Sequence, residues 1–155
     1  MGAFRIKRHI SAFIAFALAA LAALAAAAKE VEISKLAPRA VAFLNSHMPT
    51  GRVVSVADDG SFFFPDYIVE LSDSTRVRFD SDGYWRSVEN SKTGIGLQSV
   101  PPHIREAFET RFIGAKIRSL AKRRNGGIEV GLFDGRVFRF LDNGECIDFT
   151  PDNGN

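Results

Sequence analysis

One stretch of this sequence occurs twice. Leu71, Asp73, Arg78, Phe79 and Gly83 are matched by Leu132, Asp134, Arg139, Phe140 and Gly144, each 61 residues on. Upstream, Pro38, Leu44, Met48 and Val56 correspond to Pro102, Phe108, Phe112 and Leu120, now 64 apart, so the first unit is longer in the loop around Asp58 to Asp66. A repeat of this period is one supersecondary unit built twice. The chain of 155 residues has room for one ordinary domain, or for two half-sized units that share a core.

Each unit opens with a helix. Pro38 and Pro102 suit a first helical turn. Val41, Leu44 and Met48 make one apolar stripe; Ile104, Ala107, Phe108 and Phe112 make another. Gly51 and Gly114 follow as breakers. Four strands come next. They are expected over residues 52–57, 67–71, 75–79 and 84–88, and again over 116–121, 128–132, 136–140 and 145–149. Asp82-Gly83 and Asn143-Gly144 are hairpin turns, because these pairs accept positive φ. Alternation then sorts the faces. Tyr67, Val69, Leu71, Val77 and Phe79 point inward, as do Ile128, Val130, Leu132, Phe138 and Phe140. Ile68, Glu70, Arg76 and Arg78 point outward, with Glu129, Gly131, Val137 and Arg139. The expected class is α+β: two tandem helix-plus-four-stranded antiparallel units, helices on one face and the other face open.

The N-terminus adds a compartment. Arg5, Lys7 and Arg8 precede an Ala-rich apolar run from Ile10 to Ala28, which ends in small residues before Lys29. This is the pattern of a secretory signal peptide over residues 1–28, cleaved near Lys29. An uncleaved membrane anchor is the rival reading, and the only membrane association the sequence offers. The only Cys, Cys146, is far from the leader, so lipidation there is excluded. The expected organisation is a first unit over 29–89, a polar linker over 90–99, a second unit over 100–150 and a tail over 151–155. Without the leader, 17 basic residues face 18 acidic ones. The overall pI of about 8.9 therefore belongs to the leader and gives no ground for nucleic-acid binding.

The signal peptide, the Pro-opened helices and the twice-used core, Val69-Glu-Leu71 to Gly83 and Val130-Gly-Leu132 to Gly144, together resemble the PepSY-like family of secreted bacterial proteins. Their fold is similar to that of the β-lactamase-inhibitor protein. The resemblance implies an open concave sheet, a location outside the cytoplasm, no enzyme activity, and protein binding or inhibition. Ser74 departs from the pattern by standing where Gly135 keeps the usual turn glycine. A single Cys excludes the inhibitor's disulfides, so β-lactamase inhibition itself is not implied.

The residues give no catalytic, cofactor or metal assignment. His47 and His103 lack a partner at ligand spacing. Asp80 and Asp82 fall short of an EF-hand loop. Cys146 in a strand reads as a small hydrophobe. Lys116, Arg118, Lys122, Arg123 and Arg124 read as a solvated strand and turn, or as an attraction for an acidic surface. Three consecutive aromatics, Phe62, Phe63 and Phe64, cannot all enter one core from a strand. The expectation is a periplasmic or secreted non-catalytic binding module, inhibitor-like, which recognises a protein or peptide. Its face would be Glu70, Arg76, Arg78, Trp85, Glu129 and Arg139, with Phe62, Phe63 and Phe64 at the rim. The alternative is a structural or envelope-stress protein without a dedicated ligand.

Overall fold

The computed structural model describes residues 33–58 and 66–150, the last three by their backbone alone. The leader, the tail and Phe62, Phe63 and Phe64 lie outside the described residues. The first unit comprises α1 (Pro38–His47), β1 (Val53–Asp58), β2 (Tyr67–Leu71), β3 (Arg76–Phe79) and β4 (Trp85–Glu89). The second comprises α2 (Pro102–Thr110), β5 (Ile117–Lys122), β6 (Ile128–Leu132), β7 (Val137–Phe140) and β8 (Cys146–Thr150). Pro38 and Pro102 each begin their helix, where the missing N–H has no intrahelical partner to lose.

All eight strands form one sheet in chain order, every pair antiparallel. The units join edge to edge at β4–β5, where Ser87, Val88 and Glu89 pair with Ala121, Leu120 and Ser119. One row of direct cross-strand partners crosses both units: Val56, Val69, Val77, Val88, Leu120, Val130 and Phe138. Every member is at most 3% exposed. Ala40 and Leu44 of α1, and Ile104 and Phe108 of α2, join the same core. The Phe43 ring meets Phe79 edge-on at 5.7 Å, and Phe108 lies 6.0 Å from Phe140. The inward residues expected from alternation are therefore buried, with Tyr67 partly so.

The segment expected as a polar linker is a built part of the fold. Asn90 is 1% exposed. Its Nδ2 donates to Asp73 O and Thr75 Oγ1, and its Oδ1 accepts from the amides of Lys92, Thr93 and Gly94. Ile95 bridges to Ile117. The Ser99 hydroxyl donates to His47 O at 2.6 Å, which ties the end of α1 to the approach to α2.

The two units share their irregularities. Each has a bulge in its first ladder, between Val53 and Ser55 or between Ile117 and Ser119. Each has another where the third strand meets the fourth, at Arg78/Phe79 or Arg139/Phe140. A bulge adds a residue to one strand and shifts its facing by one position.

Candidate functional site

The face away from the helices is built by the second half of the alternation. One row of partners runs Ser55, Glu70, Arg76, Glu89, Ser119, Gly131, Val137. The next runs Ala57, Ile68, Arg78, Ser87, Ala121, Glu129, Arg139. Charged side chains thus stand on both flanks; in the middle, where the units meet, Ser87, Ser119 and Ala121 are small and Glu89 is the one charged residue of the two rows. A Cβ at Gly131 would come within 2.5 Å of Ser119 Oγ, so the floor there is low.

The charges on the flanks are organised. Glu70 Oε1 accepts from Arg76 Nη2 at 2.8 Å, directly across β2–β3. Glu129 Oε2 accepts from Arg123 at 2.7 Å and from Arg139 Nε at 3.4 Å, the latter directly across β6–β7. Arg78 lies 3.9 Å from Asp66. These pairs are about one-third to three-fifths exposed, so each stabilises the sheet by roughly 0.2–1 kcal/mol. They also hold the guanidiniums in fixed positions on the surface. At one end of the face, Glu70, Ser74, Thr75, Glu89 and Lys92 line a polar hollow of about 310 Å³.

Trp85 does not belong to this face. The β3–β4 bulge pairs it with Phe79, while Ser87, only two residues on, pairs with outward Arg78. A strand without a bulge would turn residues 85 and 87 to the same side. Instead the indole turns to the helix side, stacks on Phe43 at 5.9 Å and carries the Lys122 ammonium at 4.7 Å. Glu70, Arg76 and Arg78 stand on one flank of the open face, on β2 and β3, and Glu129 and Arg139 on the other, on β6 and β7.

The basic cluster of β5 is dispersed: Lys122 serves Trp85, and Arg123 serves Glu129. Asp80 is occupied in a turn. Its Oδ1 accepts from the amides of Asp82 and Tyr84, and its Oδ2 pairs with Arg86 at 2.9 Å. Among the described residues no group of three or more His, Cys, Asp or Glu could hold a metal ion. His47 lies against the Phe43 ring at 4.7 Å. Sequence reasoning missed Ser87, Ser119 and Ala121 as the low middle of the face. Their small size gives no signal until the β4–β5 register is known.

Two helices on one side of an open, eight-stranded antiparallel meander define an α+β fold whose distinguishing surface is a broad sheet face. The sequence profile described as "Putative beta-lactamase-inhibitor-like, PepSY-like" matches residues 65–148, more than half of the chain. The chain belongs to this PepSY-like family. Its fold is similar to that of a "putative calcium-regulated periplasmic protein" from Bacteroides thetaiotaomicron, with a TM-score of 0.69 and 21% identity, covering 79% of this chain and 95% of that one. It is also similar to a "putative periplasmic protein" from Bacteroides vulgatus, with a TM-score of 0.67 and 24% identity, covering 79% and 95% of the two chains. At these identities the likeness establishes the fold. No curated protein matches the sequence.

Proposed function

We propose that this chain is a non-catalytic binding module outside the cytoplasm, which recognises a protein or peptide on its open sheet face and acts in the manner of an inhibitor. The observation that carries this reading is the face itself: it spans eight strands, has a low middle, and presents Arg76, Arg78 and Arg139 in paired, fixed positions on its flanks. Fixed guanidiniums lose little freedom on binding and can take a partner's carboxylates in a forked contact. Location outside the cytoplasm is supported by the leader pattern and by the periplasmic naming of the similar structures. No described helix is long and apolar enough to cross a membrane. Calcium regulation, named for one of those proteins, is not carried over, because the Asp80 carboxylate is committed to two amides and Arg86.

One observation favours the second reading, a structural protein without a dedicated ligand: Glu70 and Glu129 already satisfy neighbouring arginines across the sheet. Capture of a partner from the native envelope fraction, followed by Arg78→Glu and Arg139→Glu, separates the two. Lost capture with an unchanged melting temperature supports the recognition face. Full capture by both variants overturns it.

A further inference from the structure

The sheet ends at two edges, and each has a counterpart inside the molecule. Among the described residues no strand pairs with the outer side of β1 or of β8. In the repeat, β1 corresponds to β5 and β8 to β4. The two outer sides are therefore the equivalents of the two sides that meet at the β4–β5 joint. There β5 meets β4 with Ser119, Leu120 and Ala121. β1 carries Ser55, Val56 and Ala57 at the matching positions, 64 residues earlier. Each of the four strands also holds one bulge residue. In the joined strands it is Arg86 or Arg118; in the edge strands it is Ile147 or Val54, 56% and 60% exposed. Edges that stay single are commonly blunted by charge. Here the apolar bulge residues stand on the edges and the charged ones inside. The bulges are no bar to pairing, because β4 and β5 carry them and pair.

We infer that β8 of one copy pairs with β1 of a second copy, so that the β4–β5 joint is repeated between molecules. Strand direction permits it. Every neighbouring pair is antiparallel, so β1 and β5 run one way and β4 and β8 the other, and the added copy keeps its helices on the same side. The internal register, carried over, sets Asp148 against Ala57, Phe149 against Val56 and Thr150 against Ser55. The row that begins at Val56 reaches Phe149 through Phe138, and the joint continues it into the next copy. No like charges stand opposite one another, and aromatic–branched and Thr–Ser pairs favour an antiparallel ladder. This joint is weaker than the internal one. Asn90 donates its amide to Arg118 O at 2.9 Å, whereas Pro151, at the matching position, has no N–H. No linker tethers two copies either, so assembly is reversible and set by concentration. The contact is head-to-tail, and each addition leaves a further edge. It uses the sheet edges and none of the arginines of the proposed recognition face, so the two readings fail separately.

The test is sedimentation of the protein purified from an exporting host, over a concentration series, with the melting temperature as the folding control. The mass should rise with concentration and pass beyond two chains. Ala57→Asp sets a carboxylate opposite Asp148 and should weaken association about fivefold at low salt. Ala57 is exposed, and Ala57→Glu is the second variant if Asp disturbs the strand. Adding Asp148→Asn to either removes the opposing charge and should restore association. A chain that stays monomeric to about 1 mM overturns the proposal. A species that stops at two chains also overturns it, by assigning the contact to two like edges. So does a folded Ala57 variant that associates undiminished, or one that Asp148→Asn fails to restore.

Discussion

Phe79 and Trp85 are direct partners across the β3–β4 ladder, and both turn toward α1, where Phe43 meets the first edge-on and stacks on the second. Trp85→Ala should therefore behave as a core truncation and cost about 3 kcal/mol, the low end for a large aromatic because the indole is only half-buried. Chemical denaturation followed by far-UV circular dichroism measures it, since Trp85 is the only tryptophan and its fluorescence is lost with it. A loss under about 0.5 kcal/mol, the range of an ordinary surface change, would put the indole in solvent.

Phe140 and Arg139 are neighbours on opposite faces. Phe140 is 1% exposed, so Phe140→Ala should cost about 3–5 kcal/mol. Arg139→Ala breaks a part-exposed pair with Glu129, which retains Arg123, and should cost under about 1 kcal/mol. Equal costs in urea denaturation would show that the facing of β7 is wrong.

Ser74 is the one described non-glycine residue with positive φ, at 68°, in the turn where the second unit places Gly135 at 85°. Left-handed backbone strains an L side chain, so Ser74→Gly should raise stability by about 1 kcal/mol and Gly135→Ser should lower it by a similar amount. Paired thermal melts of the two variants give the comparison. Destabilisation by Ser74→Gly would mean that the hydroxyl holds the turn more strongly than the strain opposes it.

The exposed Asp134 carboxyl is held below the usual aspartate range, chiefly by the hydrogen bond from the Arg136 side chain and then by the Arg136 amide. A depressed folded-state value means that the contribution is present above the ordinary aspartate pKa of about 3.9 and is lost as pH falls through the lower folded value. Carbon-detected NMR titration should find the Asp134 midpoint below that of an unpaired aspartate, and Arg136→Gln should move it upward. An unmoved midpoint would show that the backbone amide alone sets it.

Alternation made most of this legible in the sequence. Val69, Leu71, Val77 and Phe79 repeat with period two between turn residues, and their counterparts repeat the pattern, so facing could be assigned twice from independent stretches. Trp85 escaped because its facing depends on a bulge, which is a property of hydrogen-bond register and leaves no mark in composition. Asn90 escaped for another reason. A polar residue beside Ser, Lys and Gly reads as solvated loop, whereas here its amide is buried and bonded on both sides.

The sheet order follows the chain order from β1 to β8. Each strand finds its hydrogen-bonding partner in the segment just made or the next to come, and the widest step, from β4 to β5, spans only α2 and its approach. Low contact order of this kind favours fast folding, because little loop entropy is lost before the first contacts form. A polypeptide emerging N-terminus first can close its ladders one at a time, like a zip. At no stage does a finished strand wait for a partner from the far end of the chain.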